Sequence, residues 1–187
     1  ILGDLDKEFK GSIKVKYWVE VLLEEVGIEK VREIVSTPFD GLKVAVHYGC
    51  HLLRPSNILT FDDPTAPTSL DKLVNETGAK SIDYMDKTMC CGTPVLATDM
   101  KSGLKIAQEK LINVKKAGAD IMVTACPICH QMYDGNQSWI ENTFKESYKL
   151  PVLHLSQLLG LSAGFEFKEL GLHKNKVDAS KVLEFII

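Results

Sequence analysis

Apolar positions along the chain follow two alternating rhythms, one of helical period and one of short unbroken runs. From Tyr17 to Val26, YWVEVLLEEV spaces its apolar residues as an amphipathic helix, with Glu20, Glu24 and Glu25 on the polar side and Gly27 as its stop. IEKVREIV predicts a second, short helix, and KVAVHYG is an apolar run of strand length that stops at Gly49. In SLDKLVNETG, Leu70, Leu73 and Val74 share one helical face, Thr68 or Ser69 is placed to cap the start, and Gly78 suits the left-handed position after the end. SIDY predicts a short strand. A helix around Leu104, Ala107, Leu111 and Val114, stopped by Gly118, then leads to a strand at IMVT, and LPVLHLSQLLG predicts a last strand and helix with Ser156 as cap.

Strands that alternate with helices imply right-handed crossovers and a parallel sheet. The expectation is therefore an α/β fold: a small open, mostly parallel sheet of about four strands, with helices on both faces and a metal site at the carboxyl edge. A helical segment over 1–40, a cysteine-rich α/β domain over 41–165 and a C-terminal extension over 166–187 complete the expected organisation. Residues 52–67, rich in proline and polar residues, read as a long loop, and loops of that length are often functional.

The 187 residues are 45% hydrophobic, enough for one well-buried domain. A net charge of −3 with dispersed lysines provides no basic field for nucleic acid. The longest charge-free run, Leu150 to Phe165, is too short to span a membrane and is interrupted by polar residues. The chain opens on Ile1 without a signal peptide and ends on Phe185-Ile186-Ile187, which reads as a piece cut from a longer protein. Its five cysteines, an odd number, favour a reducing cytoplasm over a secreted disulfide framework.

Those cysteines change the picture most. They follow the pattern C-x39-CC-x34-C-x2-C, and each group falls beyond the carboxyl end of a different predicted strand: Cys50 after the first, Cys90 and Cys91 after the second, Cys126 and Cys129 after the third. Ligands of open parallel sheets bind at that edge, so the five thiols should converge. The helix opening after ACPICH should aim its positive end at Cys126 and Cys129 and favour their thiolates. A zinc site takes four cysteines and leaves one idle, whereas a polynuclear iron–sulfur site accommodates five. Zinc, and a vicinal disulfide between Cys90 and Cys91, stay open as alternatives.

The segments GLKVAVHYGCHLLRPS, PTSLDKLVNETGAKSIDYMDKTMCCG and TACPICHQMYDGNQ resemble the catalytic B subunits of CoB–CoM heterodisulfide reductases, from about Lys10 to Leu159. Those subunits carry two CCG modules in tandem, and this chain resembles the second. The resemblance implies a non-cubane [4Fe–4S] cluster held by Cys50, Cys90, Cys91, Cys126 and Cys129. It further implies reduction of the CoM-S-S-CoB disulfide to two thiols between two such clusters, an N-terminal CCG module outside this chain, and electrons from a flavin-bearing A subunit through an iron–sulfur C subunit. Related CCG proteins of thiol-dependent fumarate reductase or 2-hydroxy-acid oxidase type are the enzymatic alternative, and a zinc-bound structural or docking module the non-enzymatic one.

Around the ligands, His51 and His130 are candidates to donate hydrogen bonds to a cluster sulfur or a substrate group. Arg54 and Lys87 are candidates to meet the substrate's sulfonate, phosphate and carboxylate groups, beside the plainer reading as solvated surface charges. His47, inside a strand, reads as a hydrogen-bonded core residue. Gly92 is expected to need positive φ or close approach, and Pro127 fits a first helical turn.

Overall fold

The computed structural model describes Asp4 and residues 8–187. Four apolar runs form the strands β1 (Lys43–His47), β2 (Lys80–Ile82), β3 (Ile121–Thr124) and β4 (Val152–His154). Their order is β2-β1-β3-β4 and every pairing is parallel. β1 runs in register with β3 from Val44↔Ile121 to His47↔Thr124. The expected mostly parallel sheet is thus wholly parallel, and an antiparallel bridge, Phe39↔Ile186, lies outside its strands.

Parallel neighbours require crossovers, and helices supply them on both faces. α1 (Trp18–Val21), α2 (Ile28–Glu33), α3 (Ser69–Glu76) and α7 (Leu155–Ser162) border one face. Val44 and Val46 of β1 and Ile121 and Val123 of β3 point into their apolar layer with Leu70, Leu73 and Leu158. The alternate positions Ala45 and Met122 point to the opposite layer, where α4 (Met100–Lys116), α5 (Pro127–His130) and α6 (Gln137–Phe144), with the turn between the last two, supply Leu104, Ala107, Leu111, Met132 and Ile140. This period-two split is why a strand buried on both faces reads as a continuous apolar run.

Several boundaries differ from the sequence expectation for local reasons. The helix predicted over Tyr17–Val26 is α-helical only at Trp18–Val21 and then widens into a π turn, Leu22–Val26, closed by the Gly27 N–H on the Leu22 carbonyl. The strand expected at SIDY is Lys80–Ile82. The chain then leaves the sheet, Asp83 faces solvent, and Tyr84 Oη donates to the Val46 carbonyl at 3.0 Å. Neither Thr68 nor Ser69 caps α3 with its side chain. Asp62 accepts from the Thr68 and Ser69 N–H groups instead, and the Tyr48 hydroxyl accepts from Leu70 and Asp71, because the long loop and β1 reach the helix start from outside. Ser156 does not cap α7 either. His154 does, its Nδ1 accepting from the Ser156 N–H while Gln157 Oε1 accepts from the His154 N–H.

Both flanking segments pack against the sheet layers. Val19 and Val31 are buried in the first layer, as are Leu172, Ala179 and Val182 from the far end of the chain. Asp134, itself buried, accepts from the Lys176 and Val177 N–H groups, and Asn175 donates to the Val152 carbonyl. None of the helices among the described residues is long and apolar enough to cross a membrane.

Candidate metal centre

The strand order creates the crevice in which the cysteines meet. From β1 the chain crosses to β2 on one side, and from β3 it crosses to β4 on the other, so the loops leaving β1 and β3 diverge at the carboxyl edge. Such a switch point leaves an opening between two adjacent strand ends. Cys50 lies three residues past the end of β1 and Cys126 two past the end of β3.

Gly49 turns the chain between β1 and Cys50, against the cysteines that follow β3. At φ +75° it adopts a conformation that favours glycine, and a β-carbon there would lie 3.6 Å from Cys129 Sγ and 3.7 Å from Cys126 Cβ. Tyr48, just before it, is fixed by donating to Asp71 at 2.5 Å, and the Cys50 carbonyl accepts from the Leu53 and Arg54 N–H groups. Cys126 is the N-cap residue of α5, with Pro127 in the first turn as expected, and its carbonyl accepts from the His130 N–H.

The Cys90–Cys91 pair arrives on a turn that starts at Asp86. Gly92 then has φ +88°, and a β-carbon there would collide with the Gly103 carbonyl, so the expected close approach is against α4. The Gly92 N–H points to Cys90 Sγ at 3.4 Å, and Cys91 Sγ lies 3.2 Å from Thr93 Oγ1.

All five cysteines are free thiols. They interact in succession: Cys50 with Cys90, Cys90 with Cys91, Cys91 with Cys129 and Cys129 with Cys126. Cys91 and Cys129 are buried, while Cys50, Cys90 and Cys126 are partly open to solvent. Among the described residues, no three His, Cys, Asp or Glu side chains are grouped to hold a single metal ion.

Protons are distributed unequally along that chain. Hydrogen bonds from Cys129 and Thr93 draw the Cys91 thiol down to about 5, against its burial. Cys129, facing the Cys91 thiolate and buried, is pushed far above the ordinary thiol range. This runs against the expectation that the helix start would favour a thiolate at Cys129: the facing Cys91 and burial both act in the other direction. Burial and the charges of Cys90 and Cys91 raise Cys50 to about 11, with Arg54 acting in the opposite direction.

The other residues expected near the site fall in different surroundings. His51 is exposed and borders a cavity of about 450 Å³ with Lys16, Tyr17 and Phe61. Arg54, also exposed, donates to the Thr88 carbonyl at 3.1 Å and so links the long loop to the turn before Cys90. Lys87 is mostly covered and paired with Asp71 at 2.7 Å and Asp83 at 3.1 Å. The His130 ring bonds the Val152 carbonyl through Nε2 at 3.1 Å. His47 is buried as expected, but only its Nδ1 has a partner, Lys110.

Sequence reasoning missed Tyr17, Tyr133 and Lys110. Tyr17 Oη donates to the Ala125 carbonyl at 2.6 Å, and its phenol is raised to about 12 by burial, Cys126 and Cys129. Tyr133 is fully buried, feels the charges of Cys91, Cys129 and Cys90, and its hydroxyl has no protein partner. Lys110 sits on the apolar face of α4, three residues after Ala107 and four before Val114, and that position was the only signal in the sequence. Five thiols that influence one another electrostatically, with an unpartnered phenol beside them, fit a sulfur-ligated, polynuclear group.

Residues 44–134 match the CCG family, described as a cysteine-rich domain. Over 94% of its length the chain is 43% identical to the B subunit of the ferredoxin/F420H2-dependent CoB-CoM heterodisulfide reductase of Methanosarcina acetivorans, and 44% identical to the B subunit of the ferredoxin:CoB-CoM heterodisulfide reductase of Methanosarcina mazei. It spans 59% of each of these proteins. It is also 37% identical, over 93% of its length and 61% of the relative, to the 8-methylmenaquinol:fumarate reductase membrane anchor subunit of Wolinella succinogenes. A crystal structure of a hypothetical protein from Helicobacter pylori shares the fold, with a TM-score of 0.61 at 17% identity over 82% of this chain and 28% of that one.

Proposed function

We propose that this chain, which carries a CCG cysteine-rich domain and is similar along nearly its whole length to heterodisulfide reductase B subunits, is the cluster-binding part of an oxidoreductase subunit. The observation that carries this reading is the convergence of Cys50, Cys90, Cys91, Cys126 and Cys129 at the switch point of a parallel sheet. The group it holds is a non-cubane [4Fe–4S] cluster. Bound there, such a cluster supplies single-electron transfer and iron with affinity for a thiolate sulfur.

The chain's own residues prepare the site in two layers. Cys91 and Cys129, both buried, form its inner side, and binding of metal displaces the protons that their thiols carry. Cys50, Cys90 and Cys126 form the side open to solvent, where a substrate sulfur gains access. The Tyr133 hydroxyl is a buried donor free to meet a sulfur. Of the residues suited to an anionic substrate, Arg54 is favoured over Lys87, whose charge already serves Asp71 and Asp83. His51 stands at the solvent side, and His130 keeps one ring nitrogen beyond its bond to Val152.

The reaction we assign is reduction of a disulfide of the CoM-S-S-CoB type, in the cytoplasm, with a second CCG module and with A- and C-type subunits that bring electrons through flavin and iron–sulfur groups. The similarity to a fumarate reductase subunit favours a second reading, a CCG subunit serving another oxidoreductase. A zinc-bound docking module is the reading from outside enzymology. Anaerobic reconstitution with iron and sulfide, followed by metal analysis and EPR, separates these classes. About four irons and four sulfides per chain are expected, as for a [4Fe–4S] group; stoichiometric zinc with no sulfide after anaerobic handling contradicts the cluster.

A further inference from the structure

Lys110 is 1% exposed, and no other Lys or Arg among the described residues is buried. No described carboxylate forms an ion pair with it. Its Nζ instead donates to the carbonyls of Met89 at 2.8 Å, Lys87 at 3.4 Å and Asp86, and contacts His47 Nδ1 at 3.2 Å. Burying an ammonium without a counter-charge is costly, so a cation kept there has a task beyond packing.

Two further observations show what that task is. The three carbonyls belong to the turn that delivers Cys90 and Cys91, and this turn begins at Asp86, a non-glycine residue at φ +68°. One helical turn further along α4, Asn113 donates to Asp86 Oδ2 at 2.7 Å, so the same helix holds the turn at two points. The counter-charge is spread over Asp86, which Lys110 does not pair with directly, and the cysteines: burial brings the Lys110 proton affinity down to about 8, while Asp86 first and then Cys129, Cys91 and Cys90 pull it upward.

We propose that Lys110 is a positioning residue of the metal centre: it clamps the Asp86–Met89 turn so that Cys90 and Cys91 are presented together, and its buried charge offsets the negative charge of the ligated group. The second half rests on the cluster reading above; the first does not. A fixed positive charge beside the centre favours its more negative, one-electron-reduced form and so raises its reduction potential.

Lys110→Gln and Lys110→Met test both halves, the methionine filling similar space without a charge, and Asn113→Ala serves as a control that loosens the turn while leaving the buried charge in place. In iron-free protein, the amide hydrogens of Met89 to Gly92 are expected to exchange about tenfold faster in K110Q and K110M, the scale of losing one charge-assisted hydrogen bond. In reconstituted protein, an EPR-monitored titration with dithionite is expected to show a lower midpoint potential in both lysine variants and an unchanged one in N113A. Unchanged exchange together with an unchanged potential overturns the proposal, and a potential lowered equally in N113A overturns the role of the charge. Wild-type protein that takes up no iron refutes the cluster reading and with it the charge half, while the exchange measurement still decides whether Lys110 holds the turn.

Discussion

Gly92 shows at the scale of one residue how tightly the metal site is bound to the scaffold. Its positive φ and the Gly103 carbonyl behind it leave no place for a side chain. Gly92→Ala is expected to cost at least about 1–2 kcal/mol from the left-handed backbone alone, and to reduce iron uptake because Cys91 moves with the backbone; urea unfolding and iron analysis of the variant check both. Cys50 tests the ligand set differently. Cys50→Ser should lower the iron and sulfide bound per chain, whereas a zinc site built on the other four cysteines would keep its metal. The cysteines and Gly92 were legible in the sequence because their chemistry and spacing are unusual. Lys110 was not, since a lysine in an amphipathic helix reads as solvated until the helix is docked and its exposure falls to 1%.

For the secondary elements, the differences lie in how their ends are satisfied. The start of α3 depends on Asp62 and Tyr48, both outside the helix. Tyr48→Phe removes an acceptor from two N–H groups and a donor from Asp71, and is expected to destabilise the fold by about 1–3 kcal/mol, measured by urea denaturation. At α7 the cap is His154, stacked on Trp18, and its pKa is lowered by burial first and by His130 next. A histidine depressed in the fold contributes stability above its unfolded value of about 6.5, and this is lost as pH falls through the lower folded value. The protein should thus lose stability on acidification below about pH 6.5, and His154→Asn, which can still cap, should weaken that dependence in unfolding curves at pH 7.5 and 5.5. A wild type as stable at the lower pH would contradict the assignment. Periodicity placed these helices correctly, but it carries no information about partners that arrive from distant parts of the chain.

Across the whole molecule, the two ends of the described chain close over one face of the sheet. Leu172, Ala179 and Val182 are buried there with Val19 and Val31, and the last residues meet the loop before β1 through Phe39↔Ile186. Leu172→Ala is expected to cost about 2–5 kcal/mol as a core truncation, and thermal unfolding of the variant checks it; a surface extension would show almost no effect. From sequence alone, 166–187 read as an extension beyond the last strand and helix, although its apolar residues fill a layer many of whose other residues lie far earlier in the chain.

The sequence by itself determined the element order, the parallel α/β class and the identity of the five thiols, because hydrophobic period and cysteine spacing are local properties. Tertiary structure alone decided that the sheet order is β2-β1-β3-β4, which places the ends of β1 and β3 at a switch point and brings Gly49, next to Cys50, against Cys126 and Cys129. It also decided that the Cys91 thiol is drawn down while that of Cys129 is pushed up, and which lysine lies behind the site. Burial and neighbouring charge set both outcomes, and neither exists until the chain has folded.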